Sequence, residues 1–216
     1  MKKLTTTNYF LDRLQHYFPY LNAQQIDLFK QLPSLYEEWN NKINVISRKD
    51  IDNIGTHHIL HSLGIAKVMQ FCDGTKIWNI GTGGGFPGIP LAIMFPNCSF
   101  LLMDSIGKKI KVVQAITDEL GLQNVKAVQA RAETVNENFD FVVSRAVTSL
   151  IRFYPWVKGK FSLENKNTLP NGVLYLKGGN VNAEVNPFGK RVSVYELSDF
   201  FDELFFETKK VIYLKG

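Results

Sequence analysis

One stretch constrains this chain more than any other: residues 76–104 read KIWNIGTGGGFPGIPLAIMFPNCSFLLMD. The apolar residues Ile77, Trp78 and Ile80 are typical of a strand that is buried on both faces. The run ends at Gly81, the first of several glycines whose backbones can adopt positive φ and let a ligand approach the main chain. The stretch therefore predicts a strand followed by a tight glycine loop.

The remainder of this stretch predicts a helix, a second strand and a nucleoside site. Pro87 fits the first helical position, where its missing N–H leaves nothing unpaired, and Pro90 falls in the same turn. Residues 100–103 are predicted to form a second buried strand that ends at Asp104. A carboxylate at that place in an α/β sheet binds the hydroxyl pair of a ribose.

The glycine pattern leaves three interpretations open. GGGFPG, beginning at Gly83, matches the dinucleotide pattern G-x-G-x-x-G, which is weak evidence when it stands alone. Read from Gly81, the pattern G-x-G-x-G is the loop used for S-adenosylmethionine (AdoMet), which has no phosphates. The third interpretation is a glycine turn that binds no ligand. The glycines together with Asp104 favour the AdoMet interpretation.

Composition and charge set broad limits. A chain of 216 residues that is 45% hydrophobic can bury a sizeable core, and its net charge of +5 suits a polyanionic partner. Cys72 and Cys98 lack metal-ligand spacing, so we expect a reducing, cytoplasmic location. Residues 5–20 contain no apolar signal core, and no stretch is long enough to cross a membrane.

Strands alternate with helices after residue 71, which predicts a mostly parallel, doubly wound α/β sheet. Residues 1–70 are predicted to be a helical extension packed on that domain, which occupies residues 71–216. The predicted strands are 77–80, 100–103, 125–129, 139–144, 172–176, 192–197 and 210–214. The first predicted helix begins near Thr7 or Asn8 and ends before Pro19. The second begins after a capping pair, Asn22 and Gln25, and is expected to kink or restart at Pro33. Further helices are predicted over 57–69, 87–95, 108–120 and 146–157, the last interrupted at Pro155.

The glycine motif IGTGGGFPGIPLAI resembles that of the RsmG/GidB family of small-subunit ribosomal RNA guanine-N7 methyltransferases. The resemblance covers roughly residues 36 to 180. It includes Trp39-Asn40, Lys42-Ile43-Asn44, His58-Ile59-Leu60, Ser62-Leu63, Asp104-Ser105, Gly107-Lys108-Lys109, Glu119-Leu120-Gly121-Leu122, Asn124-Val125, Arg131-Ala132-Glu133 and Ser144-Arg145-Ala146.

The resemblance implies a class I, Rossmann-like methyltransferase with a seven-stranded sheet. It implies AdoMet as methyl donor and N7 of a guanine in 16S rRNA, or in small-subunit particles, as acceptor; we expect a monomer without a metal. Arg145 is the implied catalytic residue at the methyl-donor end, and Asp104 takes the ribose hydroxyls. The implied cofactor-binding residues are Gly81, Gly83, Gly85, Phe86, Asp104, Ala132, Glu133 and Arg145.

Two positions depart from the family pattern. Asn79 stands where an acidic residue usually precedes the glycines by two positions, and an amide cannot pair with the methionine ammonium. His61 also replaces a residue that is commonly acidic. His57 and His61 have the i, i+4 spacing of a metal pair, but no carboxylate or Cys nearby in sequence completes a site.

The end of the fourth strand limits the chemistry. FVVSRAV contains neither the Asn/Asp-Pro-Pro-aromatic turn of amino-group methyltransferases nor the Pro-Cys nucleophile of carbon-5 enzymes. Guanine N7 has a free lone pair, so its methylation needs no general base and can depend on orientation alone. The A-form major groove hides N7, so the target guanine must be unpaired or extruded.

Contacts to RNA are predicted on the same rim. One aromatic of Phe153, Tyr154 and Trp156 is expected to stack on the target base. The candidate phosphate contacts are Lys42, Arg48, Lys108, Lys109, Lys158, Lys160, Lys177, Lys190 and Arg191. Two rival classes remain: a nicotinamide oxidoreductase, for which no Tyr-x-x-x-Lys pair is present, and a catalytically silent ribosome-binding module, which the substitution at Asn79 keeps open.

Overall fold

The computed structural model describes the backbone of residues 2–145 and 147–216, with side chains from residue 8 onward. Across these residues, seven strands form one sheet in the order β3-β2-β1-β4-β5-β7-β6. The strands are β1 Lys76–Ile80, β2 Ser99–Asp104, β3 Val125–Gln129, β4 Phe141–Arg145, β5 Gly172–Gly178, β6 Val192–Glu196 and β7 Lys209–Lys215.

The first five strands are parallel, and β7 lies antiparallel between β5 and β6. The helices are α1 Lys2–Tyr17, α2 Ala23–Lys42, the π-helix Ile54–Leu60, α3 His61–Val68, α4 Gly88–Met94, α5 Gly107–Glu119, α6 Leu150–Val157 and α7 Asn182–Val185. This arrangement confirms the predicted doubly wound, mostly parallel sheet.

Alternation along the central strands explains why their sequences are apolar throughout. Ile77 contributes to the core on one face of the sheet, whereas its neighbours Trp78 and Ile80 contribute to the core on the other. The first core also contains the buried side chains of α1 to α5, and the second contains those of α6 and α7. Because period-2 alternation sends side chains to both faces, a strand covered by helices on both sides needs no polar positions.

The N-terminal helices share the first core with the sheet. Phe10 and Leu14 of α1 and Phe29 and Tyr36 of α2 are all buried there. Residues before and after position 70 contribute to the same continuous core. The division into an extension and a main domain at residue 70 therefore stays a prediction.

The predicted starts of two N-terminal helices are wrong, whereas the predicted start of α2 is confirmed. Helix α1 begins at Lys2, ahead of the predicted Thr7 or Asn8. Helix α2 begins with the predicted capping box at Asn22 and then continues through Pro33, because buried residues on both sides of the proline hold it on the core. The helix predicted from residue 57 is preceded by a 3-10 turn and begins as a π-helix at Ile54.

The segment after β4 also differs from prediction. Helix α6 begins at Leu150 after the N-cap residue Ser149, and it continues through Pro155 without interruption. Pro155 has no N–H to donate to the Ile151 carbonyl, and the buried side chains of Phe153 and Val157 on either side of it hold the helix on the core. Ala146, which belonged to the predicted helix, lies outside the described residues. Pro87 is the N-cap of α4 and not its first residue.

Candidate active site

A cavity of about 560 Å³ opens at the carboxyl ends of β1, β2 and β4 and beside the segment that follows β3. Such a rim is where open α/β sheets bind their ligands. The cavity is lined by Val45, Ile80, Gly81, Thr82, Gly83, Gly84, Phe86, Met103, Asp104, Ser105, Lys109, Ala130, Arg131, Ala132, Glu133, Arg145, Val147 and Trp156. This set includes every predicted site residue except Gly85.

The glycine loop forms one wall with its backbone. Gly81 has φ +61°, and a Cβ there would lie 2.4 Å from Cγ2 of Val147, so any side chain is excluded. Gly83 has φ +58° with open space where a Cβ would be, so the loop presents bare main chain to the cavity. Gly85 faces inward, where a Cβ would contact Ile89.

Asp104 ties this loop to the end of β2. The Gly83 N–H donates to its Oδ2 (3.0 Å), and the Ile106 N–H donates to its Oδ1 (3.0 Å). The side chain is 7% exposed. A carboxylate offers about four lone-pair sites, so each oxygen keeps one for a ligand hydroxyl.

The buried side chain of Asn79 forms hydrogen bonds that hold the glycine loop in place. Its Oδ1 accepts from Thr82 Oγ1 (2.7 Å) and from the N–H of Gly88 (3.0 Å), at the first residue of α4. Its Nδ2 donates to the carbonyl of Val143 (3.2 Å) in the neighbouring strand. The side chain is fully buried and is absent from the cavity lining, so its contacts are structural.

The segment after β3 forms the end wall. Ala132 is buried, Glu133 is exposed, and Lys160 Nζ donates to the Ala132 carbonyl (2.8 Å). Trp156 of α6 lines the cavity beside them. Of the other two candidate stacking aromatics, Phe153 is fully buried and Tyr154 packs edge-on against Phe188.

Arg145 is the last residue of β4 and lines the opposite side of the cavity. Its guanidinium donates to the His57 carbonyl oxygen (3.3 Å) and to Nδ1 of His58 (2.9 Å). Burial lowers the pKa of Arg145 to about 10, so it stays protonated at neutral pH. Both of these acceptors are uncharged, and two hydrogen bonds leave further N–H donors of the guanidinium for a ligand.

A second layer holds these groups in place. His58 Nε2 lies 2.7 Å from Asp50 Oδ2, and His57 Nδ1 lies 2.5 Å from Asp50 Oδ1. Burial lowers the pKa of His58 to about 4, with the positive charge of Arg145 acting in the same direction. His58 is therefore neutral under physiological conditions, while Asp50 is the nearest counter-charge in this chain of contacts.

The aromatic ring of Phe86 packs against the guanidinium group of Arg145. The Arg145 guanidinium carbon lies 4.9 Å from the centroid of the Phe86 ring, and Phe86 stacks on Tyr36 at 4.7 Å. The Tyr36 hydroxyl donates to the carbonyl of Gly84 (2.6 Å), which joins this stack to the glycine loop.

The other predicted residues are dispersed. His57 stacks on Phe205, whereas the Nε2 of His61 is buried without a hydrogen-bond partner among the described residues, so the two rings serve different contacts.

Within the same residues no helix is long and apolar enough to cross a membrane. Of the predicted phosphate contacts, Lys109 lines the cavity, whereas Lys177 pairs with Glu184 and Lys42 pairs with Glu38. Arg131, which the sequence did not single out as a phosphate contact, also lines the cavity.

Comparison with known proteins decides the family. The family model described as GidB, rRNA small subunit methyltransferase G, matches residues 25–210. The chain belongs to this family. It is 56% identical over 204 residues to the ribosomal RNA small subunit methyltransferase G of Flavobacterium johnsoniae, covering 94% of this chain and 97% of that protein. It is 53% identical over 197 residues to the protein of the same name from Bacteroides thetaiotaomicron, covering 91% and 96%.

Solved structures agree with this membership at the level of the fold. A SAM dependent methyltransferase from Aquifex aeolicus has a TM-score of 0.54 at 14% identity, covering 71% of this chain and 88% of that chain. A ribosomal protein L11 methylase from Lactobacillus delbrueckii subsp. bulgaricus has a TM-score of 0.53 at 14% identity, covering 73% and 77%. The predicted class I, Rossmann-like methyltransferase fold is confirmed.

Sequence reasoning missed the contacts behind Arg145. No motif or spacing in the sequence distinguishes Asp50 or Tyr36 as a site residue. His58 stands in the family motif His58-Ile59-Leu60, which was a signal, although the motif alone gives the residue no role.

Proposed function

We propose that this member of the small-subunit rRNA methyltransferase G family transfers a methyl group from AdoMet to N7 of a guanine in 16S rRNA. The observation that carries the proposal is the pairing of two unlike walls around one cavity. The glycine loop offers bare backbone and Asp104 on one side, and Arg145 offers unused donors on the other. The protein acts as a cytoplasmic monomer on rRNA or assembling small subunits, with residues 1–70 as an extension of the methyltransferase domain.

The cavity fits AdoMet in size and in chemistry. Its volume of about 560 Å³ lies in the range of small-molecule sites. The free lone pairs of Asp104 suit the ribose hydroxyls, and the exposed backbone at Gly81 and Gly83 allows close approach of the methionine part. Phe86 closes the cavity floor, and Ala132 and Glu133 flank the adenine. When bound, AdoMet supplies an electrophilic methyl group on a sulfonium ion.

Arg145 orients the target nucleotide. The N7 lone pair must stay free to receive the methyl group, so the guanidinium binds O6 of the guanine or the phosphate of its nucleotide. Arg is suited to either acceptor because its donors form a planar fork. It does not act as a base, since it remains protonated and N7 carries no proton to remove.

The remaining wall residues complete the acceptor side. Trp156 lines the cavity and can stack on a flat ring, whereas Phe153 is committed to the core. Lys109 and Arg131 on the rim supply positive charge for phosphates of the flanking strand.

The deciding experiment is methyl transfer from labelled AdoMet to small-subunit particles or 16S rRNA, followed by nucleoside analysis. We expect the label in 7-methylguanosine. Label in another nucleoside would overturn the N7 assignment. Calorimetric titration with AdoMet and with NAD separates the rival classes: binding of NAD alone favours an oxidoreductase, and binding of neither favours a silent ribosome-binding module.

A further inference from the structure

We propose that Asp50 and His58 are positioning residues for Arg145, with His58 fixed as the Nε2–H tautomer so that its Nδ1 lone pair aims the guanidinium into the cavity. This inference rests on the proposed function only in taking Arg145 as the group that orients the target nucleotide. The geometry of the three side chains supports it independently of the reaction.

The tautomer follows from the chemistry of the partners. A guanidinium has donors only, so the His58 Nδ1 that lies 2.9 Å from Arg145 must be the acceptor. The single proton of the neutral ring is then on Nε2, where it donates to Asp50 Oδ2 at 2.7 Å. Asp50 selects this tautomer because a carboxylate can only accept. The lowered pKa of His58 agrees with a ring that stays neutral.

The backbone places these groups on one side. His57 and His58 belong to the π-helix, which supplies both acceptors of the guanidinium, the carbonyl of one residue and the ring of the next. Asp50 binds both imidazoles and so fixes the start of this helix to the segment that precedes it. π-helical turns are rare and occur frequently at functional sites.

The ring of His58 has little freedom to turn. Its side chain is 13% exposed, it lies 5.1 Å from the Phe86 ring, and each ring nitrogen has a partner. Arg145 is thereby held from two sides, by His58 and by the face of Phe86, at the edge of the cavity that it lines. Protonation of His58 would place an N–H against the guanidinium donors and break this arrangement.

A matched pair of substitutions tests the inference. In His58→Asn the amide oxygen takes the place of Nδ1 and still accepts from Arg145, whereas in His58→Gln the amide reaches toward Asp50 and leaves Arg145 without its acceptor. We expect His58→Gln to lower kcat by about 10- to 100-fold, as for a small misplacement of a reacting pair, with little change in the KM for AdoMet. His58→Asn should recover most of that loss. His16→Gln, at an exposed histidine of α1, is the control and should behave as the wild type.

The second readout does not depend on activity. In protein labelled with ¹⁵N-histidine, His58 should show an unprotonated Nδ1 and a protonated Nε2, and its signals are identified by their loss in His58→Asn. Asp50→Ala should shift this ring toward a mixture of tautomers. A protonated Nδ1 in the neutral wild-type ring would overturn the inference, whether or not the variants fold.

The outcomes separate the inference from the proposed function. A wild-type protein without methyl transfer refutes the proposed function, while the tautomer measurement still decides the geometry. Full activity of Arg145→Ala refutes the role of Arg145. Loss of activity in Arg145→Ala together with wild-type kcat in a folded His58→Gln refutes the positioning role alone.

Discussion

The two walls of the cavity are built in different ways. The glycine wall, from Gly81 to Asp104, comes from one short stretch and presents backbone groups and a single carboxylate to the cavity. The arginine wall is assembled from side chains far apart in the sequence: Tyr36, Asp50, His58 and Arg145. The first can form wherever a glycine loop joins a strand to a helix and the next strand ends in a carboxylate, whereas the second exists only after the helices have packed on the sheet.

The walls also differ in electrostatics. Burial lowers the pKa of Arg145 to about 10 and that of His58 to about 4, and it raises the pKa of Tyr36. Of these three groups Arg145 lines the cavity, and perturbed pKa values cluster at functional sites. The difference is consistent with the proposed division of labour, in which the glycine wall would bind the donor and the arginine wall would orient the acceptor.

Substitution of Arg145 should have the largest effect on turnover. If it did not, the proposed difference between the two walls would be wrong. We expect Arg145→Ala to lower kcat on the order of 100-fold, because the target loses its orientation, while the Kd for AdoMet changes much less. Arg145→Lys should recover little, because a point charge does not reproduce the planar fork. Methyl-transfer kinetics and calorimetry on the same preparations measure both quantities.

The control is Arg152→Ala, which removes an exposed arginine from α6. It should leave turnover and AdoMet binding close to wild type. If Arg145→Ala weakened AdoMet binding as strongly as turnover, the two walls would not have separate tasks.

The contrast between the walls explains what the sequence could predict. The spacing from Ile77 to Asp104 contains the strand, the loop and the carboxylate in order, so local patterns predicted their placement. The alternation of strands and helices predicted a fourth strand over residues 139–144 with Arg145 just past it, and Arg145 is the last residue of β4. No local pattern places Asp50 beside His58, or Tyr36 beneath Phe86, because those contacts depend on how the helices pack. The π-helix was not predicted because nothing in its sequence, IGTHHIL, distinguishes a π-helix from an α-helix.

The pH dependence of stability should reveal the arginine wall. In the unfolded chain His58 titrates near its ordinary value of 6.5, and in the folded protein near 4. Between these values the unfolded state binds more protons, so the free energy of unfolding falls as the pH drops from 6.5 toward 4 and is fully retained above 6.5. The difference corresponds to about 3 kcal/mol.

Urea unfolding of the wild type and of His58→Asn across this pH range isolates the contribution. The variant should lose less stability on acidification than the wild type does. His61 is also buried and also has a lowered pKa, but it is present in both proteins and cancels in the comparison. Parallel curves for the two proteins would show that His58 is not buried as a neutral ring.

Asp104 tests the glycine wall. Asp104→Ala should weaken AdoMet by roughly 1.5–3 kcal/mol, or about 10- to 150-fold in Kd, because it removes a charged acceptor from the ribose. Asp104→Asn keeps one acceptor oxygen and should weaken binding less. Calorimetry gives both values, and an unchanged Kd in Asp104→Ala would remove this residue from the cofactor site.

Substitution of Asn79 should have the smallest effect on AdoMet binding. It tests whether this residue, which lies behind the glycine loop, is structural or contacts the cofactor. If its role is structural, Asn79→Asp should lower stability at neutral pH by about 1–3 kcal/mol, since the hydrogen bond from Nδ2 to the Val143 carbonyl is lost and a buried charged oxygen takes its place. A protonated carboxyl group could donate there in its place, so the deficit should shrink as the pH falls. AdoMet affinity of the folded protein should not improve, because the side chain is absent from the cavity lining.

The control for added charge is Asn138→Asp, at an exposed position, which should leave stability close to wild type at every pH. Thermal unfolding between neutral and mildly acidic pH, with calorimetry at neutral pH, completes the test. A stable Asn79→Asp protein that binds AdoMet more tightly would mean that this side chain reaches the methionine ammonium. Asn79 would then belong to the binding surface. Its amide, in place of an acidic side chain, would weaken AdoMet binding in this chain and would not be required by the fold.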